Sequence, residues 1–238
     1  MSTILGKLYI VATPIGNLAD MTFRAVETLK SVDTILCEDT RTTGSLLKHY
    51  EITNKNEAGH SKLMSFHSHS KLTKVSQIID MIQVGKNLAL VSDAGTPCIS
   101  DPGVILVQEL RKNFANDIEI IAVPGASAMI SAISISGLPA HEFTWLGFVP
   151  HKKGRETFFT TIAETDHTVV FYESVHRFLK TIESLNEKIP GRPIVIAREL
   201  TKLFEQVVSG NSSEILDYFT NHPDKVRGEF VIIVGPKK

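Results

Sequence analysis

Leu90-Val-Ser-Asp-Ala-Gly-Thr-Pro-Cys-Ile-Ser-Asp-Pro-Gly103 is the stretch that decides how this chain folds. It closes the apolar run 88–91. It then gathers two Asp, two Gly and two Pro before a helical pattern begins at Val104. That reads as a buried strand running into a loop and then a helix, the place where open α/β sheets bind their ligands. Special-backbone residues are too concentrated here for plain filler.

Upstream, the same grammar repeats. Lys7-Leu-Tyr-Ile-Val-Ala-Thr13 is a short continuous apolar run, as in a buried parallel strand. A helix follows over 22–31, with Thr22 as its N-cap. Asp33-Thr-Ile-Leu-Cys-Glu-Asp39 is the second strand, and a helix runs on through Leu46, Leu47 and Tyr50. Lys62-Leu-Met-Ser-Phe-His67 is a weaker third strand, and 72–84 carries a helical apolar stripe. The fourth strand spans 87–93, a helix spans 104–114, and Ile118-Glu-Ile-Ile-Ala-Val-Pro-Gly125 is the fifth strand. Strands alternating with helices predict a mostly parallel sheet with right-handed crossovers.

The residues after each strand are Thr13-Pro-Ile-Gly-Asn17, Glu38-Asp-Thr-Arg41, His67-Ser-His69, 92–100 and Pro124-Gly-Ala-Ser127. In a parallel sheet they share one edge. Opposite connections such as Leu29-Lys-Ser-Val-Asp33 read as ordinary polar turns. Turn chemistry alone calls for Gly, Pro and Asp, and explains part of this asymmetry. The remainder places the site at the carboxyl edge.

Downstream, 126–137 is small and apolar and predicts a closely packed bridging helix. Strands are expected at Phe143-Thr-Trp-Leu-Gly-Phe148, His167-Thr-Val-Val-Phe-Tyr-Glu173, Pro193-Ile-Val-Ile-Ala-Arg-Glu199, 205–210 and Gly228-Glu-Phe-Val-Ile-Ile-Val-Gly235. Helices are expected over 156–165, 175–188 and 212–219, the last capped by a serine. The second sheet should be mixed. The domains expected are 1–124, a bridge over 125–141, and 142–238, both domains α/β.

With 238 residues, 42% apolar and 21% charged, the composition is that of an ordinary globular chain. A net charge of −1 excludes a global nucleic-acid footprint, so any RNA contact must be local. Cys37 and Cys98 form no framework and fit a reducing cytosol. The N-terminus lacks a signal-peptide pattern, and no run is long enough to predict a membrane span. A cytoplasmic location is the expectation.

Several chemistries can be weighed. Gly16 followed by Glu38 and Asp39 about twenty residues on superficially fits a dinucleotide fingerprint. That fingerprint needs three glycines, and Pro14 removes an N–H. His67 and His69 alternate near Cys37, Glu38 and Asp39, but no metal-ligand spacing is present, so no metal is expected. Ser127 has no evident histidine partner and reads as a helix cap. Lys152, Lys153, Arg155, Arg177, Arg198 and Lys202 lie on loops or strand ends, where they either bind phosphates or form a scattered solvated surface.

Taken together, Thr13-Pro-Ile-Gly-Asn-Leu18, Cys37-Glu-Asp-Thr-Arg41, Ser92-Asp-Ala-Gly-Thr-Pro97 with Ser100-Asp-Pro-Gly103, Val123-Pro-Gly-Ala-Ser-Ala128, Gly147-Phe-Val-Pro150 with Lys152-Lys-Gly-Arg155, and Arg198-Glu-Leu-Thr-Lys202 occur in one order. The chain resembles the ribosomal RNA small-subunit methyltransferase I family, within the tetrapyrrole-methylase superfamily. The resemblance extends from Gly6 to Gly235. It implies two α/β domains with S-adenosylmethionine in a cleft between them, and a homodimer. The implied activity is 2′-O-methylation of a cytidine in the decoding region of 16S ribosomal RNA, within the assembled small subunit. The donor contacts implied are Pro14, Ser92, Asp93, Ala94, Ile99, Ser127, Ala128, Tyr172, Ala197 and Glu229. The chain departs from the pattern at Val175, where Pro is usual, at Phe204, where His is usual, and at His151, where a basic residue is common.

Methyl transfer to a hydroxyl needs proton removal and in-line positioning. Glu38, Asp39 and Glu199 are candidate bases. Arg41 and Lys202 are candidates to bind a phosphate or lower the hydroxyl's pKa. Arg41 joins the RNA-binding candidates. Structural ion pairs, Glu38 with Arg41 or Glu199 with Lys202, remain open at this point. The alternatives are a tetrapyrrole methylase, a modifier of a translation-factor side chain and a non-catalytic ribosome-assembly binder.

Overall fold

The computed structural model describes residues 4–55, 59–67 and 72–237. The chain divides into two compact units, 1–127 and 128–238.

In the first unit the order is β1 (Leu8–Val11), α1 (Phe23–Ser31), β2 (Thr34–Cys37), α2 (Thr40–His49), β3 (Leu63–Ser65), α3 (Leu72–Gln83), β4 (Leu88–Leu90), α4 (Gly103–Phe114) and β5 (Ile120–Val123). The sheet runs β3-β2-β4-β1-β5, and every pairing is parallel. Adjacent strand residues face opposite sides. Leu8, Leu36, Leu88 and Leu90 join one core with Ile78, Ile82, Leu106 and Leu110 from α3 and α4. Val11, Ile35, Cys37 and Ala89 join a second core with Ala25, Leu29 and Leu47 from α1 and α2. Helices therefore cover both faces, which is why the strands read as unbroken apolar runs. Thr22 caps α1, its hydroxyl accepting from the Ala25 N–H, as expected. Each strand is shorter than its apolar run, because the flanking residues already belong to the edge loops.

In the second unit the order is α5 (Ala128–Ser136), β6 (Phe143–Phe148), α6 (Arg155–Glu164), β7 (Thr168–Ser174), α7 (Phe178–Lys188), β8 (Ile194–Arg198), β9 (Gln206–Gly210), α8 (Ser212–Asn221) and β10 (Glu229–Val234). The sheet order is β6-β7-β10-β8-β9. Only β6 and β7 pair in parallel, so the sheet is mixed as expected. Phe171, Phe230, Ile194 and Ile196 pack on Phe159, Phe178 and Phe219 from the three later helices. The helix read as part of a bridge, α5, lies against β7, β8 and β10 of this unit. Its small side chains allow that approach.

Two local expectations are corrected. The cap of α8 is Asn211, not a serine: its side chain accepts from the Glu214 N–H while Glu214 accepts from the Asn211 N–H. This reciprocal pair satisfies two otherwise orphaned donors. The expected helix over 175–188 begins as a single tight turn, Val175–Arg177, before α7 proper.

Candidate active site

The carboxyl edge of the first sheet is built around Thr13. Its N–H donates to the Gly95 carbonyl and its own carbonyl accepts from the Gly95 N–H, both at 3.0 Å. Its buried hydroxyl donates to the Ser92 carbonyl at 3.1 Å. The Ser92 hydroxyl in turn lies 3.2 Å from the carbonyls of both Ala94 and Gly95. Thr96 donates to the Ala126 carbonyl, tying the loop to the segment after β5. Cys98 and Ser100 hold left-handed backbone at φ 70° and 61°. Strain of this kind is concentrated at functional sites. Asp101 accepts from the Gly103 N–H at 2.6 Å and so caps the start of α4. A Cβ on Gly103 would lie 2.6 Å from Leu90 Cδ2, so a larger residue here would have to push that side chain aside.

Carboxylates converge on this loop. The Asp39 N–H donates to Asp93 Oδ1 at 3.2 Å. Burial raises the Glu38 pKa above the ordinary carboxylate value, and the nearby charges of Asp101 and Asp93 push it further the same way. Asp39 behaves oppositely. Hydrogen bonds from the Arg41 side chain and backbone pull it down to about 2. Asp39 caps α2, and its carboxylate lies 2.7 Å from the Arg41 guanidinium. The ion pair of Arg41 is therefore with Asp39, not with Glu38. The Arg41 side chain remains 90% exposed.

Pro97 and Pro102 withhold N–H donors. The carbonyls of Ser92, Ala94 and Gly95, however, already accept internal hydrogen bonds. Asp93 and Asp101 bring two carboxylates close enough to Glu38 to act on its charge.

In the second unit, Lys202 Nζ lies 2.9 Å from both Glu199 Oε1 and Glu229 Oε2. Glu199 and Thr201 adopt φ of 50° and 65°. Burial would raise Glu199, but the Lys202 hydrogen bond and the Glu229 N–H outweigh it and lower its pKa. Burial would lower Lys202, but hydrogen bonds to Glu199 and Glu229 raise it. Both groups stay charged and occupied. Tyr172 is half-buried, its hydroxyl accepting from the Met129 N–H at 3.0 Å. The side chain of Ala197 is buried within the sheet.

Residues 7–216 match the family of Tetrapyrrole (Corrin/Porphyrin) Methylases. A relative from Streptococcus pyogenes serotype M1, Ribosomal RNA small subunit methyltransferase I, is 46% identical over 97% of this chain and 76% of its own length. The protein of that name from Escherichia coli O157:H7 is 42% identical over 98% of this chain and 79% of its own. This chain belongs to the ribosomal RNA small subunit methyltransferase I family. It is a methyltransferase, and its methyl donor is S-adenosylmethionine. Solved structures agree on the fold. Diphthine synthase superposes with a TM-score of 0.72 at 12% identity, covering 98% of this chain and 91% of that one. The methyltransferase CobJ superposes at 0.67 with 21% identity, covering 97% and 94%.

For a member of this family, the basic residues divide sharply. Lys152 and Lys153 are exposed. Arg198 is buried and donates to Gln206 Oε1 and the Arg227 carbonyl. Arg177 and Arg155 turn to Glu173, at 2.7 and 3.7 Å. These three guanidiniums are engaged within the fold. Pro14, Ser92 and Ser127 are at least partly buried along the first unit's edge, whereas Asp93, Ala94 and Ile99 are more open. Ala128 opens α5. Among the described residues no group of three His, Cys, Asp or Glu could hold a metal ion, and His69 lies outside them.

Sequence reading missed Asp101 as a partner of Glu38, because the two are far apart in the chain and only the sheet brings them together. Glu173 was visible only as a strand-ending carboxylate. No helical spacing signals its pairing with Arg177, because Glu173 lies on β7 and Arg177 ends the turn that follows it.

Proposed function

We propose that this enzyme methylates the 2′-hydroxyl of a cytidine in the decoding region of small-subunit ribosomal RNA, acting on the assembled subunit. The observation that carries the reading is the near full-length family relationship, and the carboxylate-rich edge supplies suitable chemistry. When bound, S-adenosylmethionine supplies an electrophilic methyl group. The first unit's edge fits such a cationic ligand: Asp93 presents an exposed carboxylate on a proline-bearing loop. Asp93 holds the donor's polar groups, while Pro14, Ser92, Ala94, Ile99 and Ser127 of the first unit shape its surroundings. Glu38 takes the proton from the ribose hydroxyl. Its raised pKa makes it a better acceptor than Asp39 or Glu199, both of which are lowered. Arg41, exposed on the first turn of α2, meets a neighbouring phosphate. Lys202 braces Glu199 and Glu229. The enzyme works as a homodimer in the cytoplasm, where its ribosomal substrate is found.

The test is to incubate the protein with methyl-labelled S-adenosylmethionine and, separately, assembled small subunits, free RNA and a tetrapyrrole. Label on a cytidine ribose of the subunits is expected. Label on the tetrapyrrole alone would overturn the reading. Sedimentation equilibrium checks the dimer.

A further inference from the structure

Phe148 is a large aromatic residue held in place yet open to solvent. The pairing of β6 with β7 shifts register between Trp145 and Phe148. Gly147, inside that irregularity, takes a left-handed φ of 69°. Bulges of this kind redirect side chains. Phe148 is 56% exposed as a result. Its ring packs edge-on to Tyr172 with centroids 5.2 Å apart. Tyr172 is itself braced by Trp145 at 4.5 Å and by the Met129 N–H. Burial would be the usual fate of such a ring.

The chain then turns through exposed His151, Lys152, Lys153 and Gly154. The Arg155 N–H donates to the Lys152 carbonyl at 3.2 Å and closes the turn. Both ends of the turn are tied to one buried carboxylate. At the entry, Arg177 donates to the Val149 carbonyl at 2.9 Å while pairing with Glu173 Oε1 at 2.7 Å. At the exit, Arg155 lies 3.7 Å from Glu173 Oε2 and donates to Thr181 Oγ1, which donates to that same oxygen at 2.6 Å. Glu173 thereby fixes where the lysines stand relative to the Phe148 ring.

A braced aromatic ring beside exposed lysines is the chemistry of single-stranded nucleic-acid binding: rings stack on bases of any identity, and ammonium groups neutralise phosphates. We propose that Phe148, Lys152 and Lys153 form a subsite for an unpaired stretch of the RNA substrate, with a base on Phe148 and flanking phosphates at the lysines. Glu173 is the positioning residue, acting through Arg155 and Arg177. The proposal rests on the RNA reading above.

The test measures KM for unmethylated small ribosomal subunits, kcat, and donor affinity by calorimetry. In Phe148→Leu, KM rises between about fivefold and a hundredfold, the range that loss of one stacked base implies. Phe148→Trp restores the wild-type KM, and donor affinity is unchanged in both. Replacing Lys152 and Lys153 together by Ala flattens the salt dependence of KM. Glu173→Gln raises KM for subunits without moving donor affinity. Leucine preserves apolarity and lacks only the ring. An unchanged KM in Phe148→Leu therefore overturns the subsite. So does a loss of donor affinity, or an altered mass in sedimentation, either of which assigns Phe148 to another contact. An unchanged KM in Glu173→Gln removes the positioning role. If the wild-type protein labels a tetrapyrrole and no RNA, the substrate reading itself fails.

Discussion

Arg177 lies 2.7 Å from Glu173 in an ion pair whose carboxylate is wholly buried. Arg155, Thr181 and both the N–H and the hydroxyl of Ser174 are further partners. Removing one side of such a pair leaves uncompensated charge inside the fold. Glu173→Ala is expected to destabilise the second unit by roughly 3–5 kcal/mol, read from urea unfolding. A loss below about 1 kcal/mol would mean that solvent reaches the arginines.

Glu38 should set the acid limb of the rate profile. Its pKa is raised in the folded protein by burial and by Asp101 and Asp93. Between the ordinary glutamate value and the raised one, the native state therefore keeps a proton that the unfolded chain has already released. Stability from this group is complete below the ordinary glutamate value and falls as pH rises through the raised one. Glu38→Gln should be more stable than wild type at neutral pH, with the gap closing in acid. Its methylation rate should fall by roughly 10²- to 10⁴-fold, with the acid limb abolished. A Glu38→Gln enzyme that keeps the limb would assign the proton to another group.

Asp93 and Arg41 should separate donor from acceptor binding. Asp93→Ala is expected to weaken S-adenosylmethionine binding by about tenfold to a hundredfold in calorimetry, the scale of a lost charged hydrogen bond. Arg41→Ala should leave that affinity intact and raise KM for small subunits, with a shallower salt dependence. The Asp39–Arg41 pair is exposed, so melting temperature should barely move. Equal losses of donor affinity in both variants would contradict the division.

Gly228 holds Glu199 in place by having no side chain. Its φ is 82°, and an added Cβ would lie 2.1 Å from Glu199 Oε1. Gly228→Ala should displace Glu199 from Lys202 and cost roughly 1–3 kcal/mol. Thermal unfolding measures this. A melting temperature equal to wild type would show that the carboxylate has room to move.

The architecture was legible because burial writes itself into local pattern. Runs such as Leu88-Ala-Leu-Val91 are apolar at every position since α1 and α2 cover one face of the sheet and α3 and α4 the other. Thr22 could be read as a cap because the bond it makes spans three residues. Asn211 was missed in favour of the adjacent serine because both side chains can cap, and only the reciprocal bond from Glu214 decides between them.

The sequence by itself determined which segments become strands, which ends carry reactive side chains, and which family the motifs resemble. Those properties depend on neighbours in the chain. Electrostatic roles do not. Glu38 and Asp101 meet only because β2 and β4 are adjacent in the sheet. Arg41 chooses Asp39 because the first turn of α2 faces its own cap. Arg155 and Arg177 look free in sequence, yet both turn inward to Glu173. A charge interacts through distance and burial, and both are set by tertiary packing rather than by position along the chain.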